Sequence, residues 1–145
     1  MKGQVKITKK SGGKKAPKAV KKITTADVKD AIINGMKGKN GKNIVCLNME
    51  KVQNNICDFF VICEGTSSVQ VTAIAKAVEE EVYKLTGKYA YHSEGYTNAE
   101  WILQDYVDMV VHVFQPDIRS FYNLEELWGD AVVEEVMDEP QYKRM

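Results

Sequence analysis

Residues 98–114, NAEWILQDYVDMVVHVF, are the densest apolar run in the chain, yet they include a tryptophan, two aspartates and a histidine. If Tyr106 and Val107 form a two-residue hairpin turn, Asp105 faces Asp108 and strand alternation sorts the remaining residues into two unlike faces. One face holds Ile102, Met109, Val111 and Val113, interrupted only by Glu100 and Gln104, and should pack against helices. The other holds Trp101, Leu103, Val110, His112 and Phe114, with the two aspartates at its rim. On this register Trp101 and His112 are cross-strand neighbours.

A flat apolar centre with acidic edges suits protein binding, because aromatic anchors supply contact area and charge steers a basic partner. The other reading is that a further segment of the chain covers this face. His112 invites a chemical role, but a general base needs a nucleophile or an orienting carboxylate within reach, and a metal needs two or three more ligands. The chain offers only His92, three scattered thiols and the aspartates. A hydrogen-bonded structural histidine is the expected role, with no catalytic residue, no metal and no cofactor.

Upstream, Thr24-x-x-Asp27 resembles a capping box ahead of Val28, Ala31, Ile32 and Met36, which share one helical face, and Gly38 and Gly41 end the helix. NIVCLNM and CDFFVICE are short β-rich runs separated by a polar stretch containing Asn54-Asn55, which suggests a hairpin. Ser67-x-x-Gln70 opens a second helix with an apolar stripe of Val71, Ile74, Val78, Val82 and Leu85, stopped by Gly87. Glu79 to Glu81 read as its solvated side, since adjacent helical positions diverge by about 100°. Strands are expected at 88–93, 99–105 and 108–114, and NLEELW reads as a short helix capped by Asn123-x-x-Glu126, with Leu124, Leu127 and Trp128 on one side. The result is an α/β fold with a mixed five-stranded sheet packed against helices.

The 145 residues suffice for one domain, and no apolar run is long enough to span a membrane. Residues 1–22 hold nine lysines and no acid, whereas residues 23–131 hold nine bases against sixteen acids. The first segment reads as a flexible Lys-rich arm, because it cannot bury enough apolar surface to offset its ordering entropy. Residues 132–145 read as an acidic C-terminal tail. The arm lacks the apolar core of a secretory signal, so a cytoplasmic address is expected. Cys46, Cys57 and Cys63 fit neither a disulfide framework nor a common zinc spacing and read as buried thiols.

CDFFVICEGTSSVQVTAIA, EGYTNAEWILQDYVDMVVHVF and RSFYNLEELWGDA occur in this order, and from about Thr24 to Ala131 the chain resembles the ribosomal silencing factor (RsfS, Iojap-related) family. The resemblance implies a fold related to nucleotidyltransferases. It also implies binding to large-subunit ribosomal protein fourteen on the face that meets the small subunit, so that the subunits cannot join and translation falls under nutrient limitation. Organellar relatives imply a role in large-subunit maturation. Carried over residue by residue, the family's contact positions fall on Trp101 and Ile102 and on the acids Glu94, Asp105 and Asp108, with Tyr106 added as a neighbour. Strand parity buries Ile102, and the two assignments conflict there. The family usually has glycine where this chain has Val107, and a β-branched residue at positive φ is costly. An aspartate common in the family's first strand is Asn48 here.

The expected mechanism is therefore steric repression by a non-enzyme. The acidic domain would meet a lysine-rich ribosomal protein while Lys9, Lys10, Lys14 and Lys15 of the arm contact rRNA phosphates. The resemblance leaves room for a homodimer when the protein is free. Two rival readings are open. One is a nucleotidyltransferase-like enzyme in which EGTSS cradles phosphate. The other is an RNA-binding module working through its tail alone.

Overall fold

The computed structural model describes residues 22–136. The arm lysines Lys9, Lys10, Lys14 and Lys15 and the last nine residues lie outside that range. The elements are α1 (Thr25–Gly38), β1 (Lys42–Asn48), β2 (Phe59–Glu64), α2 (Ser68–Thr86), β3 (His92–Glu94), β4 (Trp101–Asp105), β5 (Met109–Phe114), α3 (Pro116–Tyr122), α4 (Leu124–Leu127) and β6 (Val132–Glu135). They build one six-stranded sheet in the order β3-β4-β5-β2-β1-β6. Only β2 and β5 run parallel; the other neighbours are antiparallel, so the sheet is mixed as expected.

The strand count is corrected from five to six. Val132–Glu135 pairs with β1 along the sheet edge, and all four of its residues are exposed. An edge strand with both sides in water carries no alternating burial pattern, which is why a run of acids concealed it. The strand before β4 is shorter than expected, covering His92–Glu94 rather than 88–93.

Helices α1 and α2 lie side by side on one face of the sheet. Thr24 caps α1 through a complete capping box with Asp27. Ser67 caps α2 by accepting from Gln70 N, but the Gln70 side chain turns to Thr66 N and to the carbonyls of Lys39 and Asn40, which ties α2 to the end of α1. A Cβ at Gly35 would come within 2.7 Å of Val78 Cα, so glycine is what lets the two helices approach. Between helices and sheet lie Ile32, Met36, Val71, Ile74 and Val78 against Cys46, Val61, Cys63, Ile102, Val111 and Val113. All three cysteines are free and buried, and burial pushes the Cys46 and Cys57 thiols up to about 11.

The opposite face is covered by the C-terminal segment. Helix α3, absent from the sequence expectation, begins with Pro116 at its first turn followed by Asp117, both helix-start signals. Asn123 has φ 45 and is the left-handed stop of α3; its side chain caps no backbone N–H of α4 but donates to Glu126 Oε1 at 3.0 Å. In α4, Leu124 is buried and Leu127 is exposed, so the expected shared apolar side does not form. Arg119 fastens this cover. Its guanidinium donates to Asn43 O at 2.7 Å, to Glu64 at 3.0 Å and to Glu125 at 2.7 Å.

Candidate partner-binding face

The hairpin turn sits one residue later than the sequence reading placed it. Tyr106 N donates to Met109 O at 2.8 Å, so these two residues form the last pair and Val107-Asp108 make the turn. Asp108 N reaches Tyr106 O at 2.9 Å, Asp105 Oδ1 accepts from Val107 N at 2.8 Å, and Val107 is held at φ 76. A valine in that region stores strain. Trp101 is therefore paired with Phe114, and Leu103 with His112. Each residue's partner moves by two positions, an even shift, so the side chains stay on the faces parity assigned them.

Two cross-sheet rows define the second face. One runs His92, Asp105, Val110, Phe60, Leu47; the next runs Glu94, Leu103, His112, Ile62, Val45. Trp101 and Phe114 continue it toward α3. The Trp101 ring stacks on Phe114 at 4.8 Å and meets Tyr122 of α3 at the same centroid distance. Phe60 lies edge-on to His112 at 4.5 Å and to Trp128 at 6.0 Å. Trp101 remains part-exposed, Tyr122 beside it is exposed, and Phe121 meets the Tyr122 ring edge-on, itself exposed.

Position Ala99-Glu100-Trp101 is fixed by the preceding turn. Gly95 has φ 97, and a Cβ there would collide with the Trp101 carbonyl oxygen. Ala99 N donates to Gly95 O at 3.0 Å and Gln115 Nε2 to Ala99 O at 3.1 Å, so the strand enters the sheet with the indole already set.

His112 is 3% exposed, and its Nδ1 accepts from Trp101 Nε1 at 3.1 Å. The expected structural role holds, although the contact is diagonal rather than directly across the strands. Accepting at Nδ1 places the neutral ring's proton on Nε2, which has no hydrogen-bond partner among the described residues. Burial disfavours the imidazolium and pulls the His112 pKa down to about 3.

The sequence-derived contact residues divide between the two faces. Trp101, Asp105 and Glu94 come together: the pairings His92–Asp105 and Glu94–Leu103 put both acids on the aromatic side, near one edge, with His92 Nε2 3.1 Å from Glu94 Oε2. Asp108 is exposed at the turn. Ile102 does not join them. It is 0% exposed in the layer beneath the helices, which resolves the conflict in favour of parity. Tyr106 is also on the helical side, because it continues the alternation of β4 one residue past its end and precedes the turn. Its hydroxyl donates to Gln104 Oε1 at 3.1 Å, in a buried chain where Gln104 Nε2 bonds Ala75 O and Tyr96 OH, and Tyr96 donates to Glu79. Burial raises the Tyr96 pKa to about 12.

Tyr122, Phe121 and Trp128 were not singled out as contact residues in the sequence. They sit in RSFYNLEELW, and the signal that could have found them was Pro116 opening a helix that must lie over the strand before it. The two acids of the hairpin, Asp105 and Asp108, flank a turn, and Glu79 is committed to Tyr96. Among the described residues no group of three or more His, Cys, Asp or Glu is placed to hold a metal ion, and no helix is long and apolar enough to cross a membrane.

Comparison with known proteins bears on what such a face could meet. The family model "Ribosomal silencing factor during starvation" matches residues 22–145. A ribosomal silencing factor from Halalkalibacterium halodurans is 46% identical over 99 residues, which are 68% of this chain and 83% of that protein. A more distant relative, the mouse mitochondrial assembly of ribosomal large subunit protein, is 27% identical over 109 residues, covering 68% of this chain and 44% of its own length. A crystal structure of a Chromobacterium violaceum protein superposes with a TM-score of 0.69 at 31% identity, covering 73% of this chain and 87% of that one.

Proposed function

The chain belongs to the ribosomal silencing factor family, and on that premise we propose that it represses translation by binding the large ribosomal subunit through large-subunit protein fourteen and standing where the small subunit must dock. The kinship with nucleotidyltransferases that the resemblance implies is part of this reading, without the chemistry. The mechanism has no chemical step: a standard interface of roughly 800 Å² on each partner suffices for specific binding, and the bulk of the domain excludes the other subunit.

The observation that carries the reading is the part-exposed Trp101, stacked on Phe114 and tilted against Tyr122, on a face that also carries Glu94 and Asp105, with Asp108 at its hairpin turn. An aromatic anchor on a preset backbone, with acids around it, suits a lysine-rich partner. Ile102 contributes by holding β4 against the helical layer, and Tyr106 by bracing the hairpin through Gln104. The proposed rRNA contact through Lys9, Lys10, Lys14 and Lys15 would add a second attachment on the same chain. Cytoplasmic residence, assistance to large-subunit maturation and a homodimer in the free protein belong to the same reading.

Subunit joining tests it. Purified large and small subunits mixed with increasing amounts of the protein should yield fewer joined ribosomes, and isolated protein fourteen should compete the effect away. Undiminished joining at saturating protein would refute it. Removing residues 1–22 should weaken large-subunit binding and flatten its salt dependence without abolishing recognition of isolated protein fourteen.

A further inference from the structure

Away from the aromatic face, between α2 and β3, lies a surface the proposed function does not use. From Val82 to Ser93 the chain carries three tyrosines, two lysines and a histidine but no acid, within a domain that is otherwise acidic. The Gly87 stop, φ 75, folds the chain back so that Tyr89 stacks on Tyr83 of α2, with centroids 4.5 Å apart and planes 21° from parallel. Tyr91 follows two residues later, where its N–H joins the sheet edge at Asp105 O. The three rings are 44%, 67% and 82% exposed for Tyr83, Tyr89 and Tyr91.

Of the flanking acids, Glu81 pairs with Lys84 at 3.2 Å and Glu94 lies 3.1 Å from His92, while Glu80 is exposed. Lys88, next to Tyr89 in the sequence, is exposed and makes no ion pair among the described residues.

We propose that Tyr83, Tyr89 and Tyr91, with Lys84 and Lys88, form a stacking platform for unpaired RNA nucleotides, separate from the partner-binding face. A protein hot spot needs rings seated in a desolvated pocket, whereas these rings are exposed and belong to neither buried cluster among the described residues. A nucleobase needs an open ring face onto which it adds as the next layer, and a nearby ammonium for its phosphate. The choice of RNA rests in part on the ribosomal reading above; the geometry of the platform does not.

The test uses the full chain and a labelled twelve-nucleotide RNA, offered as a single strand and as a duplex with its complement. The lysine arm meets phosphates in both, but only the single strand can stack. Tyr89→Ala/Tyr91→Ala should lose roughly fivefold to a hundredfold in single-strand affinity per lost stack, with duplex affinity unchanged, while Tyr89→Phe/Tyr91→Phe retains the binding. Equal affinities of wild type and the alanine variant for the single strand, or a matching loss on the duplex, would overturn the proposal. Binding of the same variants to whole large subunits, run alongside, separates it from the functional reading. If wild type fails to bind the subunit, that reading falls and the oligonucleotide result still decides the platform. If the alanine variant loses subunit binding but not single-stranded RNA, the tyrosines meet protein and the RNA assignment is wrong.

Discussion

The two faces of the sheet are built to different specifications. Under α1 and α2 the packing is hydrocarbon against hydrocarbon: Ile102, Val111 and Val113 are sealed, and the one buried amide, Gln104, has partners at both ends. On the other side rings join the aliphatics, a histidine nitrogen has no partner among the described residues, and the cover is two short helices fastened by Arg119. Buried polar groups without partners and part-exposed tryptophans cost stability, so a fold carries them where something other than stability is served. The helical face holds the domain together, and the aromatic face is the one proposed to meet another molecule.

The contrast breaks first at adjacent residues on one strand. Ile102→Ala removes a fully buried aliphatic from the helical face and should cost about 3 kcal/mol, read as a lower denaturation midpoint, while the protein that remains folded binds its partner normally. A small stability loss with abolished binding would mean that Ile102 belongs to the partner surface after all.

Strand alternation made this division legible from sequence even though the hairpin register was misjudged. The turn lies at Val107-Asp108, and moving it by one residue shifts pairings by two, so Trp101 and Ile102 stayed on their proper sides. Tyr106 did not survive the change, because a residue assigned to the turn instead ends the strand alternation just past β4 and donates to Gln104. The cover over Trp101 was the larger omission. Its seven-residue helix and the four exposed residues of β6 gain their structure from tertiary contacts, Arg119 with Glu64 and the β1 edge, which local periodicity does not record. The arm lysines lie outside the described residues.

Acid should sharpen the contrast by acting on the aromatic face through His112. His112 has a folded pKa of about 3 against an ordinary value of 6.5, so the unfolded chain binds this proton more readily. The contribution of the neutral ring is complete above pH 6.5 and is lost as pH falls from 6.5 toward 3, at up to about 1.4 kcal/mol per pH unit. Urea midpoints from pH 7 to pH 5 should decline in wild type and decline less in His112→Gln; parallel curves would show that His112 is not the group responsible.

The smallest effect lies at the turn joining the faces. Val107→Gly should relieve the strain at φ 76 and raise stability by about 1 kcal/mol, seen as a higher melting temperature with partner binding unchanged. A lower melting temperature would mean that the exposed valine side chain contributes more than its backbone strain costs.

The decisive measurement is sedimentation of large ribosomal subunits with wild type and with Trp101→Ala, each checked for folding. Wild type should travel with the large subunit, and the variant should lose at least about thirtyfold in affinity, the mark of a central aromatic anchor. A folded Trp101→Ala protein that still rides with the subunit at wild-type affinity would contradict the assignment of this face to partner binding.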